Sequence, residues 1–162
     1  MNILEGKNAV VFGASGSIGS AVAKEFAAEG ALVFLAGRTR SKLETVAKQI
    51  TTHGSGGSQT AVVDVLDDAA VNQYLDGVVK QAGKIDIVID LTGPLANEYG
   101  NGKVAVELPI EEFMVPLATM VKSRFITAPR RRVPYDRTAL GRDHFPDGQR
   151  RARPQLARHL VQ

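Results

Sequence analysis

The 162-residue chain contains no cysteine, which excludes a disulfide scaffold, a thiolate metal site and a cysteine nucleophile. Its three histidines, His53, His144 and His159, are too widely spaced to read as a zinc motif, so no metal is expected. No apolar run reaches the roughly 18 residues that a membrane span needs. The N-terminus, Met-Asn-Ile-Leu-Glu-Gly-Lys, lacks the basic-then-apolar layout of a signal peptide. A soluble, cytoplasmic protein is the expectation.

Basic charge in the last 34 residues is carried by arginine alone. Residues 129–162 hold nine Arg, no Lys and three Asp, a balance of +6, whereas residues 1–128 hold 11 Lys+Arg against 14 Asp+Glu, a balance of −3. Four of the seven prolines also fall in the last 34 residues. The net charge of +3 therefore belongs to the tail and not to the chain as a whole. The length suits one domain, and 44% hydrophobic with 23% charged residues is a globular composition. We divide the chain into a domain at 1–128 and an Arg/Pro-rich tail at 129–162, expected to be disordered or non-native.

Within 1–128, short β-branched runs alternate with helical periodicity. Strands are expected at Asn8–Gly13, Leu32–Ala36, Thr60–Asp64 and Ile85–Asp90. Between them, Ile18, Val22, Ala23 and Phe26 repeat at helical spacing before Gly30. Ser41 is placed to cap a second helix, with Glu44 completing a capping box and Leu43, Val46, Ala47 and Ile50 facing inward. Asp67 opens a third helix carrying Val71, Tyr74, Leu75, Val78 and Val79. A fourth, over 111–127, carries Phe113, Leu117, Met120, Val121 and Phe125 at helical spacing, with Pro116 kinking it or fixing its start, and is expected to lose much of the surface it was patterned to cover. Such alternation means βαβ crossovers and a doubly wound parallel sheet of the Rossmann-like α/β class, with ligands beyond the carboxyl ends of its strands.

Gly13-Ala-Ser-Gly-Ser-Ile-Gly19 joins the first strand to the first helix. Glycines there let the backbone turn sharply and approach a pyrophosphate, which the helix N-terminus beyond would attract. A plain tight turn is the alternative. With this loop the sequence resembles the short-chain dehydrogenase/reductase family of nicotinamide-dependent oxidoreductases, over about residues 5–128. Ser17 stands where that family usually has glycine and Phe12 where it usually has threonine.

The resemblance carries three further matches. Ala36-Gly37-Arg38 ends the second strand, where an acidic residue would accept from the ribose 2′-hydroxyl of NAD. Arg38 instead suits a 2′-phosphate, with Thr39 and Arg40 as helpers, so NADP is preferred over NAD. A solvated loop cation is the alternative for Arg38. Asp64-Val65 resembles the pair flanking the adenine ring, a helix-initiating aspartate being the other reading. Leu91-Thr92-Gly93 stands where the family usually reads Asn-Ala-Gly. The cofactor set implied is Gly13, Ser15, Gly16, Ser17, Ile18, Gly19, Arg38, Thr39, Asp64, Val65 and Gly93, with a carbonyl or alcohol as substrate.

The resemblance also implies a catalytic Ser and a helical Tyr-x-x-x-Lys pair well beyond residue 130. Tyr99-Gly-Asn-Gly-Lys103 has the spacing, but Gly-Asn-Gly opposes a helix and the position is too early. No catalytic residue is named. The tail has the look of an out-of-frame reading of GC-rich coding sequence. Codons can be chosen for Tyr135 to Gln149 that, read one base later, give Met-Ile-Ala-Gln-Arg-Ser-Gly-Val-Ile-Ile-Phe-Leu-Thr-Ala, a helix end followed by a strand. The expectation is thus a catalytically incomplete, truncated oxidoreductase of marginal stability, self-associating through an exposed fourth strand. A cofactor-binding or regulatory remnant without catalysis is the second reading. A nucleic-acid arm, with Tyr135 and Phe145 as stacking groups, is a third and less favoured one, because the tail has no basic helical face.

Overall fold

Four strands lie side by side, all parallel, in the order β3-β2-β1-β4. They are β1 (Asn8–Phe12), β2 (Leu32–Gly37), β3 (Ser58–Val62) and β4 (Ile87–Asp90). The computed structural model describes residues 2–53, 56–94, 99, 100 and 102–128; the tail at 129–162, including Tyr135 and Phe145, lies outside the described residues. Val10 of β1 pairs with Phe34 of β2 and with Val88 of β4, and Phe34 with Gln59 of β3. Successive side chains on a strand point to opposite faces, so Ala9 and Val11 enter one core while Val10 and Phe12 enter the other. Both faces of β1 and β2 are covered, which is why those segments read as unbroken apolar runs.

Helices α1 (Ser17–Ala28) and α2 (Arg40–His53) cover one face, and α3 (Asp68–Ala82) and α4 (Ile110–Thr127) the other. The inner face of α2 is the expected one: Leu43, Val46 and Ile50 are buried and Ala47 packs against them. Ser41, however, does not cap it. The helix starts at Arg40, and Thr39 holds the cap position, its carbonyl accepting the first intrahelical bond from the Leu43 N–H (3.2 Å). For α3 the expected cap is present, the Asp67 carboxylate accepting from the Ala70 N–H at 3.0 Å.

On α1 the buried face differs from the one the spacing suggested. Helix α1 meets the sheet through Gly19, Ala23 and Ala27, with Phe26 packed beside them, while Ile18 is 67% exposed. Small residues at i, i+4 and i+8 let the helix approach closely; Ile18, one residue from Gly19, is thereby turned to solvent. On α4 the buried residues are Ser123, Ile126 and Thr127, whereas Phe113, Leu117, Met120, Val121 and Phe125 are exposed. This apolar stripe is left uncovered among the described residues, in line with the loss of covering surface expected for this helix. Only the last turn of α4 is anchored in the sheet-packed core, Ile126 joining the α3-side core and the Thr127 hydroxyl donating to Asp90 (3.4 Å). Pro116 lies inside α4 and does not fix its start, which is at Ile110. Strand β3 lies two residues earlier than expected, leaving Val63 and Asp64 beyond it, and β4 ends at Asp90 as expected but starts only at Ile87.

At the amino end of the sheet Asp86 is buried and ties the start of β1 to the segment before β4. It accepts from the Asn8 N–H (2.9 Å), from Lys84 (2.8 Å) and from Lys7 (3.4 Å). Burial alone would raise its carboxyl pKa, but these hydrogen bonds and the two ammonium charges outweigh that and hold it below the ordinary carboxylate value. Among the described residues no helix is long and apolar enough to cross a membrane.

Candidate functional site: a cleft at the carboxyl ends of the strands

The chain leaves β1 through a turn fixed by backbone bonds. The Gly13 and Ala14 N–H groups donate to the Ala36 carbonyl (2.9 and 3.2 Å), and the Gly16 N–H donates to the Gly13 carbonyl (3.0 Å). Gly13 has φ +75°, and a Cβ there would stand 2.9 Å from the Leu91 carbonyl carbon, so the turn admits no side chain. A Cβ on Gly19 would strike the Gly13 carbonyl oxygen and come within 3.0 Å of the Ala14 Cα. These two glycines seat α1 directly behind the loop. Its N-cap is Gly16, no side chain caps it, and its first turn has no acidic residue. The opening N–H groups of the helix are therefore left to a ligand or to water.

The loop forms one wall of a cleft of about 490 Å³. Gly13, Ser15 and Gly16 line it from the loop, Gly37, Arg38 and Thr39 from the end of β2, and Asp64, Val65 and Leu66 from beyond β3. Leu91, Thr92 and Gly93 close it after β4, with Val115 and Thr119 reaching in from α4. Gly37 has no side chain to separate β2 from the loop: a Cβ there would lie 3.4 Å from the Ser15 hydroxyl.

Eight of the eleven sequence-derived candidates thus come together: Gly13, Ser15, Gly16, Arg38, Thr39, Asp64, Val65 and Gly93. Ser17 and Ile18 are exposed on the first turn of α1 outside this lining, and Gly19 is buried behind the loop as a packing position. Asp64 does not initiate a helix. Its carboxylate accepts from the Leu66 N–H (2.9 Å), its carbonyl accepts from the Asp67 N–H (3.1 Å), and Asp67 does the capping. Arg40 is exposed and outside the lining, while Lys42, which the sequence reading passed over, is inside it. Helical phase is the signal that separates them, because residues 38, 39 and 42 share one side of the helix start.

Tyr99, Gly100, Gly102 and Lys103 are not helical. The Lys103 N–H donates to the Gly100 carbonyl (3.0 Å), and its ammonium is held by Glu112 at 2.7 and 2.8 Å. Beyond β4, the Asp90 carboxylate accepts from the Thr92 N–H (2.9 Å) and from the Thr92 hydroxyl, fixing the strand end that carries Gly93. Among the described residues no three His, Asp or Glu side chains are grouped to hold a metal ion.

A parallel sheet in this order, a glycine loop opening α1 and a cleft across the strand ends agree with the family match: a short chain dehydrogenase model matches residues 7–129. The chain belongs to the short-chain dehydrogenase family. An uncharacterized oxidoreductase of Bacillus subtilis, UxuB, is 38% identical over 136 residues, covering 77% of this chain and 48% of its own. Among solved structures, an NAD+-bound xylitol dehydrogenase matches with a TM-score of 0.69 and 29% identity, over 77% of this chain and 46% of the other. A metagenomic short-chain oxidoreductase in complex with NADP matches with a TM-score of 0.65 and 27% identity, over 76% and 54%. The chain spans about half the length of these short-chain dehydrogenases, so the similarity concerns one half of the family's fold.

Proposed function

We propose that residues 1–128 are a dinucleotide-binding domain that prefers NADP to NAD, in an oxidoreductase interconverting a carbonyl and an alcohol. The observation that carries the preference is Arg38. It lines the cleft at the end of β2 and has no ion-pair partner among the described residues. A guanidinium there complements a 2′-phosphate and has nothing to accept from a 2′-hydroxyl. The loop fits the rest of the molecule: Gly13, Ser15, Gly16 and the uncapped start of α1 would hold the pyrophosphate, Thr39 would assist Arg38, Asp64 and Val65 would flank the adenine, and Gly93 would allow close backbone approach. When bound, the dinucleotide supplies or accepts the hydride; these residues bind and orient it.

Parallel titration of the full chain with NADPH and NADH tests this. NADPH should bind more tightly, and Arg38→Ala should weaken NADPH by about tenfold or more while changing NADH little, the loss expected for a charge-assisted pair. Tighter NADH, or no saturable binding of either, would reject the reading.

A second reading, cofactor binding without turnover, is favoured by the non-helical Tyr99, Gly100, Gly102 and Lys103, which give the one Tyr-x-x-x-Lys spacing in the chain no helix to act from. We also propose that residues 129–162 are read from a displaced frame; sequencing the locus and finding no continuation of the family's pattern in another frame would reject that. Self-association is proposed as well, because β4 pairs only with β1 among the described strands and α4 exposes an apolar face.

A further inference from the structure

Behind the β4 rim of the cleft stands a carboxylate to which the cofactor reading gives no task. Asp90 ends β4 and pairs with Phe12, the last residue of β1; it is partly buried and does not itself line the cleft. Its two oxygens serve different walls. Oδ1 accepts from the Thr92 N–H (2.9 Å) and from the Thr92 hydroxyl. Oδ2 lies 3.4 Å from the Thr127 hydroxyl on the last turn of α4, which shares its proton with the Ser123 carbonyl at 2.9 Å. Asp90 has no ion-pair partner among the described residues, so these bonds orient it.

Both walls bear on the site. The Leu91 N–H still donates to the Phe12 carbonyl (3.0 Å), but the next N–H, that of Thr92, is held by Asp90 and not by a strand. The rim in turn touches the glycine loop: a Cβ on Gly13 would stand 2.9 Å from the Leu91 carbonyl carbon and 3.0 Å from the Thr92 nitrogen. In so close a packing, a displacement of Thr92 either pushes the loop or opens a gap beside it. Gly93 has nothing within 4 Å of where its Cβ would be, so its place depends on the residues before it. On the other side, Thr119 lines the cleft from the helix that Thr127 anchors. Hydrogen bonds to a carboxylate are stronger and more directional than neutral ones, and one side chain here directs them to both walls.

We infer that Asp90 is a positioning residue of this cleft, fixing the rim through Thr92 and the α4 wall through Thr127, so that a bound dinucleotide depends on it without touching it. The inference rests on the reading of the cleft as a dinucleotide site.

The test titrates the full chain with NADPH, at a temperature where thermal melts show each variant folded. Asp90→Ala should weaken NADPH by about tenfold, and Asp90→Asn, which keeps an acceptor oxygen for Thr92, should bind within about threefold of the wild type. Thr127→Val should cost about threefold alone and nothing further in the Asp90→Ala background, where its partner is already gone. Wild-type affinity in a folded Asp90→Ala protein overturns the role of Asp90 and leaves the dinucleotide site standing. So does an Asp90→Asn protein as weak as Asp90→Ala, because a purely structural or charge effect would not be rescued by the amide. If Asp90→Ala does not fold, Thr127→Val decides, and unchanged NADPH affinity there overturns the inference. Failure of the wild type to bind NADPH overturns both readings.

Discussion

Gly16 and Gly19 belong to one loop, yet alanine at each should have opposite consequences. At Gly19 alanine gains about 1 kcal/mol of helix propensity over glycine. Against that, its Cβ meets the Gly13 carbonyl and the Ala14 Cα, backbone atoms that cannot rotate away. Overpacking of this kind costs about 1–3 kcal/mol, and more where the neighbours are rigid. With the upper end of that cost against rigid backbone the clash wins, and we expect Gly19→Ala to lose a net of about 2 kcal/mol, near 4 °C in Tm per kcal/mol for a folded unit of this size. Gly16 has φ −78° and ψ 168°, ordinary for any residue, and its Cβ would find nothing closer than 3.4 Å. A stiffer unfolded chain favours alanine there by about 0.4–1 kcal/mol, while the N-cap preference opposes it by a similar amount. Gly16→Ala should therefore melt within about 2 °C of the wild type. Its methyl, however, stands on the exposed wall of the cleft, where a pyrophosphate must come close, and NADPH affinity should fall by about tenfold, or 1.4 kcal/mol. Thermal melts followed at 222 nm and NADPH titrations on the three proteins separate the two effects. A Gly16→Ala protein that binds like the wild type would refute the loop as the phosphate site. A Gly19→Ala protein that melts like the wild type would refute the close approach of α1.

Three other perturbations test separate parts of the structure. Asp86→Asn removes a buried charge held by Asn8, Lys84 and Lys7 and should cost about 1–3 kcal/mol at pH 7, kept modest because both lysine side chains are about 40% exposed. Because its folded pKa is depressed, that contribution is complete above the ordinary value of 3.8 and is lost as pH falls through the lower folded value. The gap between the two urea midpoints should therefore close only below about pH 4; a gap that closes near pH 6 would show another group at work. Tyr74 buries its hydroxyl with no hydrogen-bond partner among the described residues, and its ring packs edge-on against Phe12 with centroids 5.9 Å apart. Tyr74→Phe should keep the ring contact and raise stability by about 1 kcal/mol, whereas a loss would reveal a partner for the hydroxyl. Val121→Asp on the exposed face of α4 should shift sedimentation toward the monomer, and an unchanged distribution would exclude that face from self-association.

The order of elements and the glycine loop were written in local chemistry. β-Branched runs, a helix period, Asp67 as a cap and glycines where a strand becomes a helix each depend on neighbours a few residues away, so one chain read from end to end reveals them. The cleft was legible for the same reason, because a parallel sheet gathers its strand ends, and with them Gly13, Arg38, Asp64 and Gly93, on one side. What the tertiary structure decided was direction. Periodicity marked Ile18 and the Phe113–Phe125 stripe as apolar, but burial needs a surface opposite, and only Gly19, Ala23 and Ala27 on α1 and the last turn of α4 found one. It also decided that Lys42 and not Arg40 enters the cleft, and that Asp86 joins two lysines across the sheet's amino end. Those outcomes depend on how a helix is rotated about its axis and on contacts between residues up to 79 apart, quantities that no local spacing encodes.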